Sequence, residues 1–427
     1  MTPETSRQFE RVRVTIIDGL GCGAAQDART DYPDDVHTNS LANASQIEPL
    51  DAEALQSMGL EYIDGLEGMK VKQNFRISEV KGAFGSLEPT FKGNGSPEGH
   101  QTLMGHIVDK PYLLFDKTGF PDEIVDLVRR TATSVLGREI DIIRYPGTDD
   151  VNGEKFVNHP SIGPVHLASG RTEGPLKFPI YASSDSLIQI ALHQGVVPQA
   201  QIEEIGMAVR RAVNEANYRI GRIIMRPFIG DETEGFTRVS GDRKDYGVDP
   251  DGPTLIDHLS EAGIHVCGIG KAASMLNEHG FRHQDILKLK SDEERLCAIL
   301  QMTNQKTGPF FSFDNLVATD ESYGHPRKPR EYMNHVKMIS SWAREIMRAM
   351  QPRDLWILVG DHGNDPTQNL HNNHTREKVK LLAYSPLMQG GVDLGQRASF
   401  ADVAKTIAEN YGIGDEIKTG DSFLSAL

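Results

Sequence analysis

The sequence predicts an α/β protein, and three observations support this fold class. Apolar residues form 38% and charged residues 25% of the 427 residues, proportions that are typical of a globular protein. Several short apolar runs lack alternation, as strands do when both faces of a parallel sheet are covered. Segments with helical spacing of apolar residues lie between these runs. We therefore expect a mostly parallel sheet sandwiched by helices.

Each predicted strand ends in a polar or glycine-rich loop. The runs are VRVTIIDGLGCG at 12–23, IHVCGIGK at 264–271, FFSFDNLVATD at 310–320 and LWILVGDHGND at 355–365. In open α/β sheets, ligands bind outside the carboxyl ends of the strands. Asp18, Lys271, Asp320 and Asp361 follow predicted strands, although they are far apart in sequence. We expect these four side chains to converge at one edge of the sheet.

Two helices are predicted from their patterns. Residues 201–216 carry an apolar stripe at helical spacing. Its members are Ile202, Ile205, Val209 and Val213. Residues 399–412 form the second helix, in which Ser399 is placed to cap the start and Gly412 to end it.

The length of the chain predicts more than one domain, because a single hydrophobic core stops growing at roughly 250–300 residues. A long Gly- and Pro-rich stretch at 144–178 marks a change of composition within the middle of the chain. We assign residues 1–112 and 248–427 to a core domain and residues 113–247 to an inserted α+β domain. One role open to such an insertion is that of a mobile lid.

Charge and composition argue against several classes of function. The net charge of −15 disfavours a nucleic-acid partner and an anionic membrane surface. No apolar run approaches the ~18 residues of a membrane span, and the N-terminus lacks an apolar signal core. Three scattered cysteines are too few for a disulfide framework or a thiolate zinc site. We expect a cytoplasmic protein whose metal ligands, if it has any, are histidines and carboxylates.

The segment DHGNDPTQNLHNNHTRE at 361–377 contains three histidines, more than a surface loop needs. Together with DESYGH at 320–325 and the aspartate after the first strand, it supplies six candidate metal ligands. They are Asp18, Asp320, His325, Asp361, His362 and His374. Carboxylate oxygens combined with imidazole nitrogens suit Mn²⁺, Zn²⁺ or Fe. Six ligands suffice for a pair of ions roughly 3.5–4 Å apart, which is the usual clamp for phosphoryl displacement.

Other motifs also suit phosphate chemistry. In GNGSPEGHQ at 93–101, glycines surround Ser96, and a serine beside a divalent cation can act as a nucleophile. The same stretch is also compatible with a plain turn. Basic side chains available to hold phosphate are Arg222, Arg226, Arg238 and Lys271. GLGCGA at 19–24 has the wrong spacing for a dinucleotide fingerprint.

Taken in order, these motifs resemble the phosphopentomutases, a metal-dependent family of the alkaline phosphatase superfamily, over nearly the whole chain. The resembling stretches are IIDGLGCGAAQDA, GHQTLMGHIVDKP, GFPDEIVD, YASSDSLIQIALHQGVVP, GRIIMRPFIG, GFTR, GIGK, GDHGNDP and NHTREKVKLLAYSP. The resemblance implies an alkaline-phosphatase-like α/β core interrupted by a cap domain, with two bound Mn²⁺ ions. It also implies interconversion of ribose or 2-deoxyribose 5-phosphate and 1-phosphate through a phosphorylated enzyme that a sugar bisphosphate primes.

The resemblance also implies individual roles for residues. The phosphorylated threonine of the family falls on Ser96, in the S-x-x-G-H order that resembles cofactor-independent phosphoglycerate mutases. One metal would be held by Asp320, His325 and His374, and the other by Asp18, Asp361 and His362. Positions that face the sugar match Ser183 and Asp185, while positions that hold the phosphate match Arg222, Arg238 and Lys271.

Three functions remain open at this stage. The first is a phosphosugar mutase acting on a pentose phosphate or a close analogue. The second is a metal-dependent phosphatase or phosphodiesterase, because the nucleophile loop departs from the family at Asn94, Gly95, Gln101 and Thr102. The third is a catalytically silent sugar-phosphate sensor, against which the six retained metal-ligand positions argue.

Overall fold

The computed structural model describes residues 7–115, 118–145, 157–182, 186–305 and 308–427. The chain divides into two compact units, one formed by Met1–Lys110 with Asp249–Leu427 and the other by Pro111–Val248. Among the described residues, the first unit contains a nine-stranded sheet and the second a six-stranded sheet. None of the helices in these ranges combines the length and apolar character needed to cross a membrane.

The strands in chain order are β1 (Arg11–Ile17), β2 (Gly21–Ala24), β3 (Ala83–Leu87), β4 (Ile140–Tyr145), β5 (Leu176–Tyr181), β6 (Leu187–His193), β7 (Arg222–Asp231), β8 (Gly235–Arg238), β9 (Lys244–Gly247), β10 (His265–Ile269), β11 (Ile286–Leu287), β12 (Phe310–Leu316), β13 (Asp354–Val359), β14 (Glu377–Tyr384) and β15 (Val392–Arg397). The helices are α1 (Ala28–Asp31), α2 (Ser40–Ser45), α3 (Glu53–Ser57), α4 (Ser96–Leu103), α5 (Asp122–Leu136), α6 (Gly163–Gly170), α7 (Gln199–Glu215), α8 (Leu255–Glu261), α9 (Asp292–Asn304), α10 (Pro329–Ala349) and α11 (Ala401–Asn410). A π-helix spans Thr319–Gly324, and short 3₁₀ turns complete the described structure.

The sheet of the first unit has the order β11-β10-β12-β1-β13-β14-β3-β15, with β2 paired to β14. Pairing is parallel from β11 to β13, antiparallel on both sides of β14, and parallel again between β3 and β15. The predicted α/β class with a mostly parallel sheet is therefore confirmed. Because β1 lies between the parallel strands β12 and β13, the loops that follow these three strands meet at one edge.

The central strands are buried along their whole length, which explains their unalternated sequences. Two arginines of β1 are exceptions to the apolar pattern, and each is buried against a carboxylate of a neighbouring strand. Arg11 pairs with Asp354, and Arg13 Nη1 lies 3.0 Å from Asp314 Oδ2. Both charges are thereby compensated, as burial requires.

Helices cover this sheet through apolar faces. The long helix α10 buries an apolar stripe that includes Tyr332, Val336, Ile339, Ala343 and Ile346. Helix α11 spans Ala401–Asn410, inside the predicted range of 399–412. The Ser399 hydroxyl accepts a hydrogen bond from the N–H of Ala401 at 3.1 Å, as a serine at a helix start does. Gly412 has a φ of +74° just after the helix, in the position where glycine ends helices.

The second unit has the sheet order β4-β5-β6-β7-β8, with β9 on β7. The predicted helix at 201–216 corresponds to α7, and its predicted stripe is fully buried. The stripe consists of Ile202, Ile205, Val209 and Val213, each at 0% exposure. Residues 183–185, between β5 and β6, lie outside the described residues.

Candidate active site

All six predicted metal ligands lie at the edge of the first unit's sheet where β1, β12 and β13 end. They form two groups, and within each group the possible ligand atoms all lie within 4.8 Å of one another. The first group is Asp320, His325 and His374, and the second is Asp18, Asp361 and His362. The antiparallel direction of β14 brings His374, just before this strand, to the same edge.

The first group depends on the π-helix that follows β12. Asp320 lies within this helix and His325 directly follows it. The N–H of His325 donates to the carbonyl oxygen of Asp320 at 3.0 Å, the bond between residues five apart that defines a π-helix. The two side chains consequently share a face, and His325 Nε2 lies 3.4 Å from Asp320 Oδ2. In an α-helix, residues five apart would diverge by about 140°.

The three histidines of the site are oriented in the same way. Nδ1 of His325 lies 2.8 Å from Asn372 O, Nδ1 of His374 lies 2.9 Å from Asn94 O, and Nδ1 of His362 lies 3.1 Å from Gly363 O. A carbonyl oxygen only accepts, so each Nδ1 carries the hydrogen and each Nε2 carries a lone pair. Metal-binding histidines are commonly fixed by such a bond to the second ring nitrogen.

The lone pairs of the first group converge. Nε2 of His325 and Nε2 of His374 face each other at 3.2 Å, and His374 Nε2 lies 3.6 Å from Asp320 Oδ1. The Asp320 carboxylate thus lies beside two nitrogen lone pairs, which is a donor set that fits a divalent cation.

The second group is completely buried. His362 Nε2 lies 3.4 Å from Asp18 Oδ1 and 3.3 Å from Asp361 Oδ2. Asp18 Oδ1 accepts no hydrogen bond from the described residues. A buried carboxylate oxygen without a partner is costly unless a cation compensates it. This group also fits a divalent cation.

The predicted nucleophile lies beside the second group. Ser96 is the first residue of α4 and is 1% exposed. Its Oγ lies 3.1 Å from His362 Nε2 and accepts a hydrogen bond from Lys271 Nζ, also at 3.1 Å. The structure thus brings Ser96 and Lys271 together beside the candidate metal ligands.

Lys271 carries its charge in this buried place because carboxylates surround it. Its Nζ lies 2.6 Å from Asp18 Oδ2. Burial acts to lower the pKa of Lys271, but Asp18 and Asp361 outweigh it and raise that pKa above its usual value. The ammonium group is therefore a permanent positive charge next to Ser96 Oγ.

Helix α4 approaches the second group closely. A Cβ atom at Gly99 would collide with the backbone carbonyl oxygen of Asp361, so only glycine fits there. Nδ1 of the next residue, His100, lies 2.8 Å from Ser96 O, one turn earlier in the helix, and 3.3 Å from Asp361 Oδ2. The N-terminal end of α4 begins at Ser96, and a helix N-terminus favours anions.

Sequence reasoning missed the polar side chains that hold the carboxylates. Asn315 Nδ2 donates to Asp18 Oδ2 at 3.1 Å, and Asn364 Nδ2 donates to Asp320 Oδ1 at 2.6 Å. Asn364 lies within the resembling stretch GDHGNDP, which was the only signal available for it. His371 lies outside both groups, since its Nε2 lies 2.9 Å from Asp35 Oδ1. His374 begins the HTRE part of the resembling stretch NHTREKVKLLAYSP, which His371 precedes.

The remaining predicted substrate residues belong to the second unit. Arg222 Nη2 donates to Asp245 Oδ2 at 2.8 Å, and Arg238 Nη2 donates to the Tyr181 hydroxyl at 2.8 Å. Arg243 Nη2 also lies 2.6 Å from Asp245 Oδ2. The predicted sugar-facing residues Ser183 and Asp185 lie outside the described residues.

The fold and site define a metalloenzyme with an alkaline-phosphatase-like core, and the Metalloenzyme superfamily model matches residues 275–415. The chain is 32% identical to the phosphopentomutase of Herpetosiphon aurantiacus, over 98% of this chain and 99% of that protein. It is 33% identical to the phosphopentomutase of Caldanaerobacter subterraneus subsp. tengcongensis, over 98% of each. The chain belongs to the phosphopentomutase family. It is therefore a phosphosugar mutase, an enzyme of the isomerase class, and its family uses divalent metal.

A solved structure gives a more distant likeness. The PH0037 protein from Pyrococcus horikoshii is 11% identical, with a TM-score of 0.47 over 95% of this chain and 98% of that chain.

Proposed function

We propose that this enzyme interconverts the 5-phosphate and 1-phosphate of ribose or 2-deoxyribose, or of a close analogue, through a phosphoserine at Ser96. The observation that carries the proposal is the position of Ser96 Oγ, 3.1 Å from both His362 Nε2 and Lys271 Nζ. The phosphopentomutase relatives support pentose phosphates as the substrate class.

Two Mn²⁺ ions are the proposed cofactors, because mixed carboxylate and imidazole donors suit this metal. One would be held by Asp320, His325 and His374, and the other by Asp18, Asp361 and His362. When bound, the ions would neutralise phosphoryl oxygens and lower the pKa of a nearby hydroxyl.

The protein's own groups would stabilise the charge that develops during transfer. Lys271 donates a hydrogen bond to Ser96 Oγ and keeps its positive charge, so it stabilises the attacking oxygen and later the phosphate ester. The N-terminus of α4 offers backbone N–H groups to the phosphoryl oxygens on Ser96. These contacts favour the same serine as acceptor and as donor of the phosphoryl group.

The burial of Ser96 supports a mutase over a hydrolase. A mutase must keep the phosphoryl group until it returns to the sugar, whereas a hydrolase gives it to water. Ser96 is only 1% exposed, which limits the approach of water to a phosphoserine at this position. A sugar bisphosphate is the proposed activator, because a mutase of this kind starts from a phosphorylated enzyme.

The inserted unit is the proposed cap, with Arg222 and Arg238 holding the phosphate that is not transferred. The carboxylate of Asp245 contacts two arginines of this unit, Arg222 and Arg243. The unit carries two more arginines, Arg226, which donates to Gln189, and Arg238, which donates to Tyr181. This excess of positive charge in a chain of net charge −15 suits an anion. Ser183 and Asp185 remain the proposed contacts to the sugar.

The proposed compartment is the cytoplasm. Cys22, Cys267 and Cys297 are free thiols, as is usual where disulfides are rare.

The test combines intact-mass measurement with a ³¹P NMR assay of isomerisation. With Mn²⁺ and a sugar bisphosphate, the enzyme should gain the mass of one phosphate and convert ribose 5-phosphate to ribose 1-phosphate. Both results should disappear in Ser96→Ala and persist in Ser341→Ala, which changes an exposed serine of α10. Release of inorganic phosphate without isomerisation would support the phosphatase alternative. No isomerisation on a panel of sugar phosphates would overturn the proposal.

A further inference from the structure

We infer that Arg327 is the positioning residue that assembles the metal group of Asp320, His325 and His374. The inference rests on the two-metal site of the proposed function. Neither the sequence motifs nor the ligand geometry assigned a role to Arg327. Its guanidinium nevertheless joins three segments of chain that together carry all three ligands.

Five hydrogen bonds leave the two terminal nitrogens of Arg327. Nη1 donates to three oxygens and Nη2 to two, and four of these five acceptors are backbone carbonyls. The acceptors are Gly324 O at 3.0 Å, Asn364 Oδ1 at 2.5 Å, Asp365 O at 3.0 Å, His371 O at 2.6 Å and Asn373 O at 3.1 Å. The first acceptor ends the π-helix, the next two follow β13, and the last two precede His374.

One of these bonds controls the contact to Asp320. Because Arg327 donates to the amide oxygen of Asn364, the amide nitrogen must point the other way, where it donates to Asp320 Oδ1 at 2.6 Å. The guanidinium and the carboxylate thus hold the Asn364 amide from opposite ends, and loss of the guanidinium leaves the amide oxygen without this donor. Arg327 therefore fixes the position of Asn364, which in turn holds Asp320.

Two further bonds control the histidines. Arg327 holds the carbonyl groups of His371 and Asn373, and His325 Nδ1 donates to the carbonyl between them, on Asn372, at 2.8 Å. That bond places the lone pair of His325 on Nε2, the atom that faces the site. His374 directly follows the fixed segment, so its position depends on the same guanidinium.

The backbone of Arg327 is itself strained. Its φ is +56°, in the left-handed region that residues other than glycine avoid. Such strain persists where surrounding contacts hold it and is found most often at functional sites. Glycine at this position would relieve the strain while removing the side chain, so Arg327→Gly separates the role of the guanidinium from that of the backbone.

Arginine is suited to this role in a way that lysine is not. A planar fork of donors reaches acceptors on separate segments, whereas a lysine ammonium group concentrates three donors on one atom. Arg327→Lys keeps the charge but cannot bridge Asn364 and the 371–373 segment together. We therefore expect Arg327→Lys to weaken metal binding by the group of Asp320, His325 and His374, as Arg327→Gly does.

The experiment measures metal binding rather than turnover. Metal-free protein is titrated with Co²⁺, following the visible absorption bands and the heat of binding, and Mn²⁺ stoichiometry is measured after gel filtration. The wild type and Arg330→Gln should each bind two ions per chain, because Arg330 is an exposed residue three positions away. Arg327→Gly and Arg327→Lys should bind one ion normally and the other at least tenfold more weakly. Millimolar guanidinium ion should restore the second site in Arg327→Gly.

The outcomes separate this inference from the proposed function. Two ions bound to Arg327→Gly with wild-type affinity and spectrum would overturn the role of Arg327. Fewer than one ion bound to the wild type would instead contradict the two-metal site. If Arg327→Gly does not fold, Arg327→Lys decides the question, and an unchanged affinity for both ions in that variant overturns the inference.

Discussion

Nε2 of His325 and Nε2 of His374 lie 3.2 Å apart, although a backbone carbonyl fixes the hydrogen of each ring on Nδ1. Two lone pairs at this separation repel each other unless a cation or a proton lies beside both. The carboxylate of Asp320, 3.4 Å from one ring and 3.6 Å from the other, completes a set of donors directed at one point. Metal binding should therefore stabilise the folded protein.

Removal of divalent metal should lower the unfolding temperature. A ligand that binds only the folded state adds about 2.7 kcal/mol to the free energy of unfolding at 100 times its Kd. We expect protein treated with a chelator and then dialysed to unfold several degrees below the Mn²⁺-loaded protein, as measured by calorimetry at pH 8. Readdition of Mn²⁺ should restore the transition, whereas Na⁺ at equal ionic strength should not. Equal transitions with and without Mn²⁺ would contradict this expectation.

Lys271→Met should slow turnover without preventing folding. Loss of a charged donor aimed at a reacting oxygen typically lowers kcat by about 10² to 10³. The comparison is Lys337→Met, in which an exposed lysine of α10 is changed in the same way. Steady-state isomerisation and the rate of phosphoenzyme formation are the measurements. A kcat for Lys271→Met within threefold of the wild type would show that the ammonium group is not needed.

Arg376→Ala should destabilise the protein and disturb the nucleophile loop. Arg376 is 1% exposed, pairs with Asp27 at 2.8 Å and donates to Gly93 O at 2.7 Å, three residues before Ser96. Asp27 is partly exposed, so the loss comes mainly from the hydrogen bonds of the buried guanidinium, and losing a hydrogen bond to a charged group typically costs about 1.5–3 kcal/mol. Urea unfolding should show this loss, while Arg348→Ala, at an exposed position, should change the free energy of unfolding by less than about 0.5 kcal/mol. If Arg376→Ala changes the free energy of unfolding as little as Arg348→Ala does, Arg376 does not stabilise the fold.

Lys380→Met should stabilise the protein in a pH-dependent manner. Lys380 is fully buried, and its Nζ has no hydrogen-bond partner among the described residues. Burial lowers its pKa from 10.5 to about 7. Above the unfolded-state pKa of 10.5, Lys380 is neutral in both states and does not lower the free energy of unfolding. As the pH falls below that value, the buried lysine lowers the free energy of unfolding more and more, and the full loss is reached below about pH 7.

The expected gain for Lys380→Met is therefore on the order of a few kcal/mol at pH 6 and small at pH 10. Urea unfolding of both proteins at pH 6, 8 and 10 measures it. Lys378→Met is the matched control, because Lys378 lies two residues away on the same strand and pairs with Asp64. A gain that does not vary with pH would contradict a lowered pKa of Lys380 in the folded protein.

The sequence sufficed for residues whose position follows from strand direction. Asp18 and Asp361 follow runs that lack alternation, and parallel neighbours end at the same edge. His374 was a candidate because of its residue type and place in the segment, but its assignment to the group of Asp320 and His325 came from the resemblance, because no pattern in the sequence indicated that β14 runs antiparallel to β13. The end signals of the helix at 399–412 were also readable, because Ser399 accepts a hydrogen bond from the N–H of Ala401 at its start and Gly412 adopts a positive φ just after its end.

Residues that act between loops escaped prediction. Arg327 and Asn364 have no periodic pattern, and their partners lie on segments whose approach depends on the complete fold. The peptide planes of residues 371–373 matter more for this network than their side chains. Sequence reasoning identifies side chains that carry chemistry far better than it identifies backbone carbonyls that orient them.

The π-helix has a consequence for the comparison of relatives. Asp320 and His325 share a face across five positions only because the turn between them is wide. A relative in which the same two ligands are four positions apart, with three residues between them, can keep them on one face with an ordinary α-helical turn. If the number of residues between these two ligands changes during evolution, the helix that carries them must therefore change from a π-helix to an α-helix or the reverse. An alignment gap at residues 321–324 does not by itself signal the loss of this metal site.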